Sequence, residues 1–265
     1  SKQNDQLYFL VRRKVTARKP KQQSKQNGEE LPSFQIPQDY KIVCTSNSHT
    51  AAEWIQNSVI AKLNGTNKVI VGMDLEWDLT RPLVAFQIDP HRAFQWKQQT
   101  QFVFRDHIHP PYMDTLQIAV EDSCLIFQTL QQTCDSELYS SLTAMMANEQ
   151  VLKCLCSYAS DVEKLKGWLQ AYEHHDKSNE FNWSASLVEL DRESKGAATL
   201  CVTDLHLEMK KDHNIQLSRW SRKVLDAKQQ EYAAMDAYIN HKLYFVQQAL
   251  DDASANSGLE TVISI

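Results

Sequence analysis

Acidic side chains at three places in the chain have the types and spacing of a cation-binding site. The first place is the stretch VIVGMDLEWDL, residues 69–79, in which an apolar run leads into Asp74 and Glu76. On a strand, residues i and i+2 project to the same face, so these two carboxylates lie side by side while Leu75 packs on the opposite face. Like charges this close repel each other unless they are protonated or neutralised by a cation. A divalent metal ion is the usual remedy, although a strand end at the surface can also carry two acids without any function.

The last helical pattern of the chain, DAKQQEYAAMDAYINHKLYFVQQAL at residues 226–250, presents another carboxylate. Its apolar residues recur at three- and four-residue spacing and predict an amphipathic helix. Tyr232 and Asp236 are four residues apart, so a phenol and a carboxylate lie on one face of that helix, directed toward the interior. The pair is either part of a reactive site or simply a tyrosine that hydrogen-bonds to an aspartate.

The third place is the stretch YASDVEKLKGWL, residues 158–169. Ser160 and Glu163 have the spacing of a capping box, which predicts that Asp161 is the first helical residue. The apolar run VLKCLC precedes it, so Asp161 lies at a strand-to-helix switch, where α/β sheets tend to bind ligands. The alternative is an ordinary acidic residue favoured by the helix dipole.

The elements that position these acids alternate between strand and helix patterns, which predicts an α/β fold with a mixed sheet and helices on its faces. Strands are predicted at 41–45, 68–77, 115–120, 123–128, 151–156 and 186–190, and helices at 49–63, 137–147, 161–172, 200–210 and 227–250.

Composition allows one sizeable core and does not identify a partner. The 265 residues are 42% hydrophobic, and 33 acidic against 28 basic side chains give a net charge of -5. Six scattered cysteines and the lack of a signal-peptide pattern favour reduced thiols in the nucleus or cytoplasm. No stretch approaches the ~20 apolar residues of a membrane-spanning helix, so we expect a soluble intracellular protein with no membrane partner.

Two segments depart from the pattern of the main domain, which we expect at residues 39–252. Residues 1–38 are polar and basic, which predicts a flexible arm that is either an import or nucleic-acid-binding signal or a solvated leader. Residues 78–113 interleave aromatic and basic side chains and form either a base-stacking hairpin or a surface insertion with its own apolar cluster. Residues 253–265 are interpreted as a C-terminal tail.

The order of the acidic motifs resembles that of the DEDD superfamily of 3′-to-5′ exonucleases, in its tyrosine-containing branch. Three runs, VGMDLEW, LQIAVEDSCLIFQ and SRWSRKVLDAKQQEYAAMDAYINHKLY, are similar to runs in Werner-type and RNase D-type exonuclease domains. The likeness covers roughly residues 40–250. It implies an RNase H-like fold, a mixed β-sheet flanked by helices.

The resemblance also implies a chemistry for the acids. Asp74, Glu76, Asp161 and Asp236 would hold two divalent cations, Mg²⁺ or Mn²⁺, about 3.5 to 4 Å apart. Tyr232 would orient the attacking water or the scissile phosphate, since a phenol with a pKa near ~10 is a poor general base at neutral pH. The implied reaction hydrolyses the 3′-terminal phosphodiester bond of DNA or RNA and releases nucleoside 5′-monophosphates.

Side chains near the acids are candidates for binding the nucleic-acid strand. Trp77 follows the first acidic pair and would contact the terminal base, whereas Trp220 is expected in the core. Basic residues before the last helix would contact phosphates, namely Arg219, Arg222 and Lys223.

Two other functions fit the same motifs. One is a catalytically silent relative that keeps the fold as a nucleic-acid-binding or scaffold module, and the other is a structural cation site that stabilises the fold without turnover. All four acids are present, which favours the enzyme. No motif identifies contacts to a ribose 2′-hydroxyl, so the sequence predicts no preference between DNA and RNA.

Overall fold

The computed structural model describes residues 31–63, 68–78, 113–129, 135–156, 158–170, 186–191 and 193–260. Nearly all of these residues belong to one compact unit, Pro32–Ile265. The basic stretch at residues 12–26, most of the insertion expected at 78–113 and the last residues of the chain lie outside the described residues.

A six-stranded mixed sheet forms the centre of this unit. The strands are β1 (Lys41–Thr45), β2 (Val69–Glu76), β3 (Thr115–Ala119), β4 (Ser123–Gln128), β5 (Val151–Leu155) and β6 (Leu187–Glu189). Their order in the sheet is β1-β4-β3-β2-β5-β6. The central β2 pairs antiparallel with β3 and parallel with β5, so it has a neighbour on both sides. The predicted mixed sheet is confirmed.

Six helices flank the sheet within the described residues. They are α1 (Ser48–Ser58), α2 (Ser136–Ala147), α3 (Tyr158–Gln170), α4 (Ala197–Asp204), α5 (His213–Gln216) and α6 (Ala227–Glu260). A short 3₁₀ turn at Ile60–Lys62 follows α1. None of the described helices has the length and apolar character needed to cross a membrane.

Several helix boundaries differ from the predicted ones. Helix α3 begins at Tyr158, so Asp161 lies inside its first turn, and the predicted capping box at Ser160 is wrong because that residue is already helical. Helix α4 occupies 197–204 rather than 200–210, and α6 continues to residue 260 instead of ending near 250. Apolar periodicity locates a helix by its buried turns, whereas its ends depend on caps and on solvent-exposed residues.

The sheet separates two apolar cores, and alternation along β2 assigns its side chains to them. Val71, Met73 and Leu75 are buried in the core that includes residues of α1, α2 and α3. The intervening residues face α6, whose apolar side forms the second core with β3, β4 and β5. Asp74 and Glu76 therefore point toward α6, as their i, i+2 spacing predicted.

Helix α6 crosses β2 at unusually short range, and Gly72 makes this possible. A Cβ atom at Gly72 would lie 2.1 Å from the Ala237 carbonyl oxygen and 2.4 Å from the His241 nitrogen. Both atoms belong to the helix backbone, so no side-chain rotation could relieve the clash. The Asn240 side-chain amide donates a 2.8 Å hydrogen bond to the Met73 carbonyl oxygen and fixes the helix against the strand.

The strand ends that flank the insertion are tied together. The Asp114 backbone N–H donates to the Glu76 carbonyl oxygen at 2.8 Å. The Asp78 backbone N–H donates to Asp114 Oδ2 at 2.7 Å. Residues 78 and 114 thus form a closed neck directly after β2 and before β3.

The described structure also shows where two aromatic residues outside the strands pack. Phe34 is buried, its ring centroid lies 5.9 Å from that of Tyr238, and Ser33 forms a bridge with Glu208. Packed residues therefore begin upstream of position 39, the boundary we expected. Trp220 has no exposed surface, which confirms its expected place in the core.

Lys153 on β5 is a fully buried cation. Its ammonium donates hydrogen bonds to the carbonyl oxygens of Met146 at 2.8 Å and Asn148 at 3.2 Å, at the C-terminal end of α2, and also to the Ser186 hydroxyl. Burial lowers the pKa of Lys153 from its usual 10.5 to about 8, because desolvation disfavours the charged form. The C-terminal dipole of α2 partly offsets that cost.

We predict that Gly72→Ala lowers the free energy of unfolding by on the order of 3 kcal/mol, because the new methyl group must push α6 away from β2. Urea unfolding followed by circular dichroism measures the change. Lys41→Ala, an exposed substitution on the edge strand β1, serves as the control and leaves the midpoint nearly unchanged. A stable Gly72→Ala protein would show that the close approach of helix and strand is not required.

We predict that the stabilities of the wild type and of Lys153→Met depend differently on pH. The folded-state pKa of Lys153 is lowered, so the unfolded chain binds more protons between about pH 8 and 10.5 and the wild type gains stability as pH rises through that window. Relative to the variant, this gain is about 1.4 kcal/mol per pH unit inside the window. Thermal or urea unfolding at several pH values tests this, and parallel curves for the two proteins would contradict it.

Candidate active site

Three carboxylates from two elements meet above the end of β2. Asp74 and Glu76 are half-buried on the strand, and Asp236 is buried on α6. One oxygen from each can be chosen so that all three lie within 4.8 Å of one another. The close crossing at Gly72 brings the helix carboxylate to those of the strand, because Asp236 precedes the contact residue Ala237.

The fourth predicted acid, Asp161, lines the same cavity as the other three. Asp161 lies in the first turn of α3, is 7% exposed and lines a cavity of about 260 Å³ together with the other three acids. Strand β5 runs parallel to β2 and ends beside it. Helix α3 follows β5 in the chain, so its first turn lies near the end of β2. The remaining residues that line the cavity are Leu75, Trp77, Cys156, Lys211, Gln216, Leu217 and Tyr232.

The carboxylates hold each other in an unfavourable electrostatic environment. Burial, followed by the neighbouring charges of Asp236 and Asp161, raises the pKa of Asp74 well above its ordinary value. Burial and the charge of Asp74 raise the pKa of Glu76 in the same way. The pKa of Asp236 is raised mainly by burial, and Lys211 opposes that shift. Burial therefore acts against the charged forms of all three carboxyl groups, and Lys211 partly opposes it.

Tyr232 lies one helical turn before Asp236, as its spacing predicted. It is 7% exposed, and its hydroxyl is buried beside the Asp236 carboxylate. Burial raises its pKa further above the ordinary value of 10.0, and the carboxylates of Asp236, Glu76 and Asp74 act in the same direction. Tyr232 therefore stays protonated at neutral pH, and it lines the cavity that holds the acids.

Sequence reasoning missed Lys211. Its ammonium lies 3.1 Å from both carboxylate oxygens of Asp236 and donates a hydrogen bond to Oδ2. Lys211 belongs to the connection between α4 and α5, a segment without apolar periodicity. Only the folding of this segment against α6 shows which of its basic residues enters the cavity.

Two further residues that line the cavity belong to no motif that sequence analysis could recognise. Gln216 and Leu217 lie at the end of the short helix α5, and Leu217 keeps 50% of its surface exposed although it is apolar. Such a residue resembles any loop leucine in the sequence. Its place beside the acids depends on the packing of α5 against α6.

The candidates for strand binding lie in different environments. Trp77 lines the cavity, but the Lys164 ammonium lies 3.8 Å from the centroid of its ring, so a cation covers one face of the indole. Arg222 pairs with Asp226 at 2.7 Å. Arg219 and Lys223 are exposed, and none of the three basic residues lines the cavity. Their role in binding nucleic acid stays a prediction.

The residues of the cavity fit divalent cations. Their ligand atoms are carboxylate oxygens, which Mg²⁺ and Mn²⁺ prefer. Burial, and after it the neighbouring carboxylates, raise the pKa values of Asp74 and Glu76, and a bound cation would favour their charged forms. Three acids with ligand oxygens within 4.8 Å of one another, together with Asp161 in the lining of the same cavity, give a donor set suited to such ions.

The class of protein now follows from fold and sequence together. The family model described as 3′-5′ exonuclease matches residues 42–248, which is most of the chain. The chain belongs to this 3′-5′ exonuclease family, and its sheet flanked by helices is the RNase H-like fold of DEDD exonucleases, as the motif order indicated.

Individual relatives agree with this assignment. A protein of Acanthamoeba polyphaga mimivirus, described as a candidate 3′-5′ exonuclease, is 22% identical over 226 residues, which are 82% of this chain and 48% of that protein. The chain thus spans about half the length of this curated relative.

Solved structures show the same fold at low sequence identity. The exonuclease domain of Aedes aegypti Nibbler has a TM-score of 0.55 at 14% identity and covers 81% of this chain and 89% of its own. The catalytic core of Trypanosoma brucei Rrp6 has a TM-score of 0.54 at 12% identity and covers 85% of this chain and 52% of its own. Trypanosoma brucei RNase D has a TM-score of 0.53 at 14% identity and covers 77% of this chain and 63% of its own.

We predict that Glu76→Gln makes the protein more stable in the presence of a chelator. The substitution removes one of the clustered negative charges. The free energy of unfolding at neutral pH therefore increases by on the order of 1 kcal/mol, which raises the melting temperature by a few degrees. Added Mn²⁺ then stabilises the variant less than the wild type, because one ligand oxygen has lost its charge. Differential scanning fluorimetry with and without chelator measures both effects.

Glu231→Gln is the control for this prediction, because Glu231 is exposed on α6 beside Tyr232 and points away from the cavity. If Glu76→Gln lowers the melting temperature in chelator, the side chain has a stabilising role that repulsion among the acids does not explain.

Proposed function

We propose that this chain is a metal-dependent 3′-to-5′ exonuclease that hydrolyses the terminal phosphodiester bond of DNA or RNA and releases nucleoside 5′-monophosphates. The observation that carries the proposal is the convergence of Asp74, Glu76 and Asp236, with Asp161, on one cavity in a chain of the 3′-5′ exonuclease family. Family membership alone would leave open whether the acids are assembled.

In this mechanism the four acids hold two divalent cations, Mg²⁺ or Mn²⁺. Bound cations of this kind supply Lewis-acid chemistry, which makes a water molecule nucleophilic at neutral pH and stabilises charge on the leaving oxygen. The strand carboxylates and Asp236 reach the cavity from two different elements, β2 and α6. Strand β2 packs into one apolar core and helix α6 into the other, so packing positions the carboxylates before a cation binds.

Tyr232 acts by position rather than by proton abstraction. Its raised pKa keeps the phenol protonated, so the hydroxyl donates a hydrogen bond to a phosphate oxygen or orients the attacking water. The position of Tyr232 supports this role, because it lines the cavity one helical turn before Asp236 and beside the strand acids.

The nucleic acid enters as a strand end. The cavity lies at the carboxyl end of β2 beside β5, and Trp77 and Leu217 present apolar surface next to the acids for a terminal base. Arg219, Arg222 and Lys223 would contact the backbone of the strand beyond the cavity.

A catalytically silent nucleic-acid-binding or scaffold module is the second candidate. It is less well supported, because such a relative needs no cluster of half-buried acids, and repulsion among them lowers stability. A structural cation site is the third candidate. It differs from the enzyme because metal would raise the melting temperature while no nucleic acid is hydrolysed.

The decisive experiment uses single-stranded DNA and RNA of one sequence, labelled at the 5′ end. We expect a ladder that shortens from the 3′ end in Mn²⁺ or Mg²⁺, disappears in chelator, and falls by at least about a thousandfold in the double variant Asp74→Asn, Glu76→Gln. The faster substrate identifies the preferred nucleic acid.

Glu231→Gln serves as the matched control and keeps wild-type activity, because its carboxylate lies outside the cavity. Intact label in every lane, together with a shifted band on a native gel, would overturn the catalytic proposal in favour of a binding module.

A further inference from the structure

Lys211 places a positive charge inside the acid cluster, and the motifs give it no role. Its Nζ atom lies 3.1 Å from both oxygens of Asp236, whose side chain is 6% exposed. The lysine side chain itself is 30% exposed, and it lines the cavity that holds the acids. The ammonium is thus a partner of a buried carboxylate and also reaches the open part of the site.

The influence of Lys211 extends over the whole cluster. Partial burial disfavours its ammonium, but the carboxylates of Asp236, Asp74 and Glu76 outweigh that effect and raise its pKa. The ammonium also lies 5.8 Å from the centroid of the Tyr232 ring. It therefore neutralises part of the charge that the acids share, from the side of the cavity where α6 presents Tyr232 and Asp236.

We infer that Lys211 is the resident counter-cation of the acid cluster and competes with divalent cations for Asp236. This inference rests on the proposed metal-dependent function. A divalent ion bound to either oxygen of Asp236 would lie within a few ångströms of the ammonium, and like charges at that separation repel strongly in a partly buried site. Occupation of the site by metal therefore requires Lys211 to leave Asp236.

The Lys211 side chain can move into the open part of the cavity when it leaves Asp236. Lysine has a long flexible stem with a compact ammonium, and part of this side chain already faces the cavity. A nucleic-acid phosphate bound in the cavity supplies the negative charge that the ammonium loses when it leaves Asp236. Lys211 thus stabilises the metal-free protein and raises the metal concentration at which the site fills.

The test is a Mn²⁺ titration in which electron paramagnetic resonance measures free Mn²⁺, without any nucleic acid. We expect Lys211→Met to bind Mn²⁺ about fivefold or more tightly than the wild type, since a repelling charge is removed. In chelator, the same variant melts at a lower temperature than the wild type, because Asp236 loses its partner. Lys211→Arg keeps the charge and stays close to the wild type in both measurements.

Lys210→Met is the matched control, because Lys210 is the exposed neighbour of Lys211 and lies outside the cavity. It changes neither Mn²⁺ affinity nor melting temperature. If Lys211→Met fails to fold, Lys211→Gln, which keeps a hydrogen-bond donor near Asp236, takes its place in the same titration.

The outcomes separate this inference from the proposed function. If the wild type binds Mn²⁺ and degrades nucleic acid while Lys211→Met has unchanged affinity, only the role of Lys211 is overturned. If Lys211→Arg binds Mn²⁺ as tightly as Lys211→Met, side-chain charge is not the cause and the inference fails. If the wild type binds no Mn²⁺, both the inference and the metal-dependent function fail.

Discussion

The close crossing of α6 over β2 is the constraint on which the rest of the site depends. Gly72 lets helix backbone lie against strand backbone, and the hydrogen bond from Asn240 to the Met73 carbonyl oxygen fixes that position. Asp236 and Tyr232 then lie beside the strand acids and line the same cavity. Because α6 also forms much of one apolar core, the geometry of the carboxylates is tied to the packing of half the domain.

The acids conflict with the stability of the fold that holds them. The pKa values of these carboxyl groups are raised mainly because burial disfavours the charged form, and for Asp74 and Glu76 also because other carboxylates are close, so charging them in the folded state costs free energy. Burial of Val71, Met73 and Leu75 on the other face of β2 offsets this loss, since each side chain removed from water contributes roughly 1.5–3 kcal/mol. One strand thus combines a stabilising apolar face with an acidic face, and alternation of its residues keeps the two apart.

The sequence was most informative where chemistry and periodicity coincide. Asp74, Glu76, Tyr232 and Asp236 could be placed because a period of two on a strand and a spacing of four on a helix fix the direction of side chains. The start of α3 was less predictable, since the capping-box spacing at Ser160 competed with a helix that begins at Tyr158. Lys211 and Leu217 were invisible, because their contacts depend on how the α4–α5 connection folds onto α6, and no local pattern encodes such a long-range contact.

The neck at residues 78 and 114 separates the paired strands β2 and β3 from the segment that connects them. Its hydrogen bonds close the β2–β3 connection immediately beyond Glu76, so the register of the paired strands is set before the chain leaves the sheet. A change in the length or composition of the intervening segment would therefore leave the position of Glu76 on β2 unchanged. The neck thus separates the strand that carries Asp74 and Glu76 from whatever residues 79–112 contribute.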